Sequence, residues 1–142
     1  MKTRYSSLVT VKKNIMQKSE RVLQSATKDL NSASSALELS YSALKDVEAP
    51  NSGNMSQFLA SRTLLESQRS IIAHNQEWKN YADKQVDIAK EKLKLDMIEY
   101  EKFNYLELEE VKKILRERKF QEAKDLDEVA LMTHAQKSKK KV

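Results

Sequence analysis

The sequence predicts an all-α fold: a long antiparallel two-helix coiled coil, or helical hairpin, with a C-terminal helical overhang. The first observation is that the 142 residues include one glycine and one proline, Gly53 and Pro50, only three positions apart. Because these residue types usually mark turns, their confinement to one place predicts a single bend. The second observation is composition. Charged residues make up 33% and aromatic residues 6%, which is typical of solvated helices and leaves little material for a globular core.

Helix one is predicted over about residues 5–48. Its apolar residues advance mostly by three or four positions, which keeps them on one helix face. Two successive steps of four, from Val22 to Ala26 to Leu30, break the strict heptad and predict a drift of the contact seam. The predicted seam consists of Leu8, Val11, Ile15, Val22, Ala26, Leu30, Ala33, Leu37, Tyr41, Leu44 and Val47.

A turn is predicted over residues 49–55 and helix two over about residues 56–133, with Asn54 or Ser56 capping its first turn. The seam of helix two recurs at multiples of seven. Residues 134–142 are predicted to form a basic flexible tail, and the whole chain, 1–142, a single extended domain. The seam residues are Phe58, Leu65, Ile72, Val86, Leu93 and Tyr100, with Ala82, Ala89 and Phe103 at intervening positions.

The two predicted helices differ in length. If helix one folds back about the bend, its N-terminal end reaches only residues 95–100 of helix two. The segment from there to residue 133 then has no partner within the chain, although Leu108, Val111 and Leu115 keep it amphipathic. Most helical stability in proteins comes from packing an apolar face. We therefore expect this overhang to become ordered against another molecule.

Charge and composition exclude several classes of protein. No run of the ~18 apolar residues needed for a membrane span is present, and the basic start lacks the apolar segment of a secretory signal. Zero cysteines exclude disulfides and fit a cytosolic location. The net charge of +5 is concentrated at the two ends of the chain. Those ends either meet an electrostatic partner or are ordinary solvated segments.

The sequence predicts neither catalysis nor a metal site. His74 and His134 are too far apart on one helix to share a metal, and neither has a nearby His or Cys at helical spacing. A single glycine cannot form a glycine-rich phosphate loop. Basic residues of the body are interspersed with acidic ones, so no one-sided basic stripe predicts nucleic-acid binding. We therefore expect no enzyme activity, no cofactor and no nucleic-acid partner.

One strip carries more apolar surface than a two-helix seam needs. Leu64, Ile71 and Trp78 are spaced by seven and lie next to the predicted seam residues Leu65 and Ile72. Adjacent helical positions differ by about 100° in direction, so only one member of each neighbouring pair points squarely at helix one. The strip is either a widened core stripe or a docking surface for another protein, where Trp is a common anchor.

Three segments of the sequence resemble the flagellar export protein FliJ family. They are Gln57-Phe58, the run Trp78-Lys79-Asn80-Tyr81-Ala82-Asp83-Lys84-Gln85-Val86-Asp87-Ile88-Ala89, and residues 119–130 of the late second helix. The resemblance extends to the length of the chain, the single bend before its midpoint, the long second helix and the basic tail.

This resemblance implies a non-enzymatic coiled coil similar to the central stalk of rotary ATPases. Such proteins bind the hexameric flagellar export ATPase, with the terminal end of the coil entering its ring. They also contact the cytoplasmic domain of the export-gate membrane protein, and they are associated with recycling of export chaperones. The implied location is the cytoplasm at the flagellar base of the inner membrane, and the implied state of the isolated protein is a monomer.

The resemblance also implies two sets of site residues. The export-gate strip of the family aligns with Leu64, Gln68, Ile71 and Asn75, and Trp78 continues the same strip. Gln68 and Asn75 depart from the family, which tends to have apolar residues or an imidazole there. The basic N-terminus and the late helical motif supply the candidates for contact with the ATPase ring, which are Lys12, Lys13, Lys119, Glu122, Leu126, Asp127 and Glu128.

Two alternatives stay open. One is the homologous stalk of a virulence injectisome. The other is a coiled coil that assembles with itself, or a chaperone that shields export substrates. A self-assembling coil would bury Leu64, Ile71 and Trp78 in a homodimer and show concentration-dependent stability. A stalk would be monomeric alone and would bind an ATPase.

Overall fold

The computed structural model describes residues 2–47 and 53–140, except for the side chain of Lys140. It contains two helices, α1 (Ser6–Asp46) and α2 (Met55–Lys140), and no strand among the described residues. The predicted all-α class is confirmed, because the two long helices pack against each other as in a helical hairpin. Most of the predicted turn, including Pro50, and the last two residues of the predicted tail lie outside the described residues.

The described residues fall into two compact units where the sequence predicted one extended domain. The first unit contains residues 2–13 and 98–140, and the second contains residues 14–47 and 53–97. Each helix contributes to both units. Within the two described stretches, neither helix has a segment apolar enough to cross a membrane.

The second unit has a narrow core of small side chains. Ala33 of α1 is fully buried, and Ala82 and Ala89 of α2 are 3% and 5% exposed. Larger apolar groups are buried only at Leu37 and Val86. Because alanine side chains are short, the two backbones can approach closely at these positions.

The seam of α1 differs from the predicted one. In the second unit one row of buried and half-buried positions advances by steps of three and four without a break, so the predicted drift at Val22 is wrong. Val22 is 50% exposed, and its neighbour Leu23 takes the seam position. The sequence prediction followed apolar residues, but the seam includes buried serines. The observed seam is Met16, Ser19, Leu23, Ala26, Leu30, Ala33, Leu37, Ser40, Leu44 and Val47.

The predicted seam of α2 is confirmed except at its first position. Leu65, Ile72, Leu93, Tyr100 and Phe103 are half-buried, and Ala82, Val86 and Ala89 are buried. Phe58 is 47% exposed, so its predicted seam position is wrong. The physical reason is an offset in pairing. Ser40 lies near the end of α1 and is hydrogen-bonded to Gln68 and Asn75 of α2. The first turns of α2, which include Phe58, therefore extend beyond these contacts with α1.

The start of α2 is capped by Asn54, as predicted. The backbone N–H of Gln57 donates to Asn54 Oδ1 at 3.0 Å, which satisfies one of the free donors of the first turn. Gly53 precedes the cap with φ +152°, a conformation that L side chains rarely adopt. The only glycine in the sequence therefore occupies a position whose backbone conformation favours glycine.

In the first unit, the beginning of α1 lies beside residues 107–110 of α2. Ser6 Oγ donates to Glu107 Oε1 at 2.8 Å, and Arg4 Nη2 lies 3.7 Å from Glu110 Oε2. The expected reach of only residues 95–100 is therefore wrong. It assumed that pairing starts directly at the bend, whereas the observed offset moves every α1 residue further along α2.

The C-terminal part of α2 runs on to Lys140, whereas the sequence predicted a helix end at residue 133 and a flexible tail from residue 134. No glycine or proline interrupts this stretch, and Ala135, Gln136 and Lys137 have high helix propensity. All side chains of residues 115–139 are exposed. The overhang is thus present, but it begins near residue 115.

Candidate partner-binding surfaces

Three of the five export-gate candidates form an exposed strip on α2, which we call the apolar strip: Leu64, Ile71 and Trp78. Their side chains are 61%, 47% and 38% exposed. They are spaced by seven, so they lie on one flank of the helix, beside the seam residues Leu65 and Ile72. The strip is open to a partner along the first part of α2.

The other two candidates, Gln68 and Asn75, lie in the seam instead of on the outer surface. The Gln68 amide donates to the carbonyl oxygen of Ser40 at 2.8 Å. The Asn75 amide donates to the carbonyl oxygen of Ala36 at 3.3 Å and to Ser40 Oγ. Both side chains are half-buried, and the structure therefore does not bring all five candidates onto one outward face.

These amides belong to a polar layer that sequence reasoning missed. Ser40 is 5% exposed, and its hydroxyl donates to the carbonyl oxygen of Ala36 at 2.7 Å while it accepts from Asn75. Buried polar groups that are paired in this way fix the register of a coiled coil at some cost in stability. Gln68 and Asn75 continue the steps of three and four that join the apolar seam residues of α2, and this spacing was the signal that could have identified them.

A second polar contact lies further along the same seam. Ser19 is 4% exposed, and its hydroxyl donates to the Asp96 carboxylate. Lys92 Nζ lies 2.9 Å from the same carboxylate oxygen of Asp96. Polar contacts therefore fix the register of α1 against α2 on both sides of the alanine-rich core, through Ser40 on one side and Ser19 on the other.

The two basic candidates at the N-terminus have different environments. Lys12 Nζ lies 3.7 Å from Glu99 Oε2 and 5.7 Å from the centre of the Phe103 ring. Its side chain is 28% exposed. Lys13 is exposed. Lys12 is therefore engaged within the first unit, whereas Lys13 faces solvent.

Charge complementarity explains why this part of α1 docks there. The α2 segment 99–110 contains five glutamates and one lysine, whereas residues 1–21 contain six basic residues and one glutamate. An exposed ion pair contributes only ~0–1 kcal/mol, so the individual bridges are weak. The contact at Lys12 is stronger in principle because it combines a carboxylate with an aromatic ring.

Replacing Lys12 by alanine should therefore destabilise the protein by about 1 kcal/mol, through the lost ion pair with Glu99 and the lost contact of its ammonium group with the Phe103 ring. The same change at exposed Lys13 should alter stability by less than ~0.5 kcal/mol. Urea unfolding of both variants, followed by circular dichroism, measures the difference. Equal effects of the two substitutions would show that the Lys12 contact contributes nothing specific.

The remaining ATPase-ring candidates lie on the overhang. Lys119, Glu122, Leu126, Asp127 and Glu128 are all exposed. Large apolar side chains accompany them, with Phe120 at 73% exposure and Leu126 at 69%. Leu131 and Met132 are similarly exposed, and sequence reasoning did not include them among the site residues. The overhang can thus offer both apolar anchors and charges to a partner.

No group of three or more histidine, aspartate or glutamate side chains in the described part of the chain could hold a metal ion. The surfaces described above are open, and their groups are apolar side chains, ion pairs and amides. This arrangement is suited to binding other proteins through apolar contact and charge.

Comparison with known proteins gives a direct assignment. A family model described as "Flagellar FliJ protein" matches residues 1–139. No curated protein matches the chain, and no solved structure matches it either. The family match covers nearly the whole chain, both helices included, and agrees with the resemblance of its three segments. The chain belongs to the FliJ family of flagellar proteins.

Proposed function

We propose that this protein is a non-enzymatic stalk component of the flagellar type III export apparatus. In this proposal the overhang of α2 inserts into the hexameric export ATPase, and the early part of α2 contacts the cytoplasmic domain of the export gate. The observation that carries the proposal is the family match over residues 1–139, which spans both helices and nearly all of the overhang.

The exposure of the overhang supports the ATPase contact. Residues 115–139 are helical and have no buried side chain, although they include Phe120, Leu126 and Leu131. An unpacked helix with large apolar groups gains stability when a partner covers them. Lys119, Glu122, Asp127 and Glu128 supply charges of both signs between these groups, which suits a specific protein surface better than a nucleic acid.

The apolar strip supports the export-gate contact. Leu64, Ile71 and Trp78 are the members of the proposed gate site that face solvent. Gln68 and Asn75 would act behind them, because their amides hold the adjacent seam in register with α1. We therefore assign gate contact to the three apolar residues and a positioning role to the two amides.

The proposal places the protein in the cytoplasm, at the flagellar base of the inner membrane. Its partners would be the export ATPase and the export gate, and export chaperones would be additional ones. Its energetic role would be to link ATP hydrolysis to export by contacting both machines, without a cofactor or catalytic residues of its own.

Sedimentation equilibrium tests the proposal. The pure protein should sediment as a monomer, and in the presence of the export ATPase and nucleotide it should join the hexamer at about one copy per ring. A homodimer indifferent to the ATPase would contradict the stalk role. It would favour self-assembly through the apolar strip, the alternative that the exposure of Leu64, Ile71 and Trp78 also permits. Binding to an injectisome ATPase alone would indicate the related secretion system.

A further inference from the structure

A groove runs between α1 and α2 in the second unit, beside the alanine-rich core. Its apolar lining comes from Val22 and Ala26 on α1 and from Trp78, Tyr81 and Ile88 on α2. Val22 is 50%, Tyr81 63% and Ile88 61% exposed. Neither the ring candidates nor most of the gate candidates lie here, and only Trp78 is shared with the apolar strip.

The groove continues towards the beginning of α1. A second depression shares Val22, Ala89 and Lys92 with the first and adds Ile15 and Lys18. The combined groove is bordered by α1 from Ile15 to Asp29 and by α2 from Trp78 to Lys92. At 1.5 Å per residue, each border is about 21 Å long, or about four helical turns.

The two ends of the groove have opposite charge. Lys18 and Lys92 lie towards one end of the groove, and Asp29 lies further along it, on the side towards Trp78. Lys92 is also paired with Asp96, but its side chain is still 63% exposed. A ligand that lies along the groove therefore meets a negative group at one end and positive groups at the other.

The size of the groove indicates what can occupy it. A helix is about 10–12 Å across, so a 21 Å groove offers a patch of roughly 200–250 Å² to one helix. A stable protein dimer needs about 800 Å² from each partner. The groove therefore has the dimensions of a single helix, and by itself it is too small to be the interface with a second copy of the hairpin.

We infer that this groove binds one amphipathic α-helix of a partner protein, about 14 residues long, in the same direction as α2. The apolar face of that helix would cover Val22, Tyr81 and Ile88 and complete a local three-helix bundle. A helix carries partial positive charge at its N-terminus and partial negative charge at its C-terminus. Its N-terminus would therefore lie at Asp29, and its C-terminus at Lys18 and Lys92. The inference does not depend on the proposed export role.

The experiment uses Trp78, the only tryptophan of the chain, as the reporter. The probe is a synthetic 15-residue peptide without tryptophan, with leucines on one face, arginine in its first turn and glutamate in its last turn. The control peptide has glutamine at both charged positions. Titration of the full-length protein should shift the Trp78 emission to the blue and protect it from iodide quenching.

We expect the charged peptide to bind about 5–10-fold more tightly than the glutamine peptide at low salt, because its arginine pairs with Asp29 and its glutamate with Lys18 and Lys92, and the difference should vanish at 1 M salt. Direction is tested by a nitroxide quencher on the charged peptide. The quencher should reduce Trp78 emission more strongly at the N-terminus than at the C-terminus. Equal affinities of the two peptides, or stronger quenching from the C-terminus, would overturn the inferred charge-directed orientation.

Two matched variants test the location. Ile88→Lys places a charge in the groove and should weaken binding at least about 10-fold, because a desolvated ammonium is costly. Leu39→Lys changes a residue that is 70% exposed and lies outside the groove lining, and it should leave the affinity unchanged. Absence of any Trp78 response, or equal binding by both variants, would overturn the inference. A blue shift that grows with protein concentration without peptide would make a second copy the occupant and would also overturn it.

Discussion

Truncation of the protein after Glu117 should abolish the proposed binding to the hexameric export ATPase and leave the pairing of α1 with α2 intact. The removed residues 118–142 include every proposed ring contact on the overhang, whereas the contacts of Arg4 with Glu110 and of Ser6 with Glu107 are retained. Loss of several anchors together should weaken the complex by about 100-fold or more. Analytical ultracentrifugation with the ATPase measures this loss, and circular dichroism measures the retained helix.

Two controls separate binding from folding. Truncation after Phe103 also removes Glu107 and Glu110, so it should lower the unfolding midpoint as well as ATPase binding. Leu126→Asp in the full-length chain changes one exposed side chain and should weaken the complex by about 10-fold, while its lower helix propensity should reduce stability by no more than about 0.5 kcal/mol. If the protein truncated after Glu117 bound the ATPase as tightly as the full chain, the overhang would not be the ring-binding segment.

Replacing Ala82 by aspartate should destabilise the protein by about 3 kcal/mol. Ala82 is 3% exposed in the narrow core of the second unit, so the new carboxylate would lose its hydration without gaining a positively charged partner. The space left by a methyl group is also too small for the larger side chain. Since whole domains are stable by only ~5–15 kcal/mol, the unfolding midpoint in urea should fall markedly.

Ala73→Asp is the matched control. Ala73 is exposed, lies in the same helix and unit, and has the same native side chain. This substitution carries only the difference in helix propensity, about 0.5–1 kcal/mol. Comparable losses for the two variants would mean that the alanine core does not hold α1 and α2 together.

The difference between Ala82 and Ala73 can be predicted from the sequence, because only Ala82 lies in the predicted seam. Recurrence at multiples of seven predicts that Ala82, Val86 and Ala89 lie in the seam, and all three are buried, because apolar periodicity reports directly which face of a helix is covered. The same spacing separated Leu64 and Ile71 from Leu65 and Ile72. In the structure the first pair is exposed and the second is half-buried.

The polar members of the seam share this spacing, but their residue types do not mark them as interior. Ser19, Ser40, Gln68 and Asn75 are indistinguishable from surface residues by composition, and they are suited to the interior only because each finds a partner across the interface. Lys12 is a similar case, since its environment is created by Glu99 and Phe103 of the other helix.

The sequence alone therefore determined the two helices, where the first ends and the second begins, and the existence of an unpaired C-terminal segment. These depend on local backbone preferences and on apolar spacing, which are properties of neighbouring residues. The tertiary structure decided which α1 residue faces which α2 residue. That register depends on hydrogen bonds and ion pairs between residues up to about a hundred positions apart, such as Ser6 and Glu107. It set the start of the overhang, moved Gln68 and Asn75 into the seam and left a groove beside Trp78.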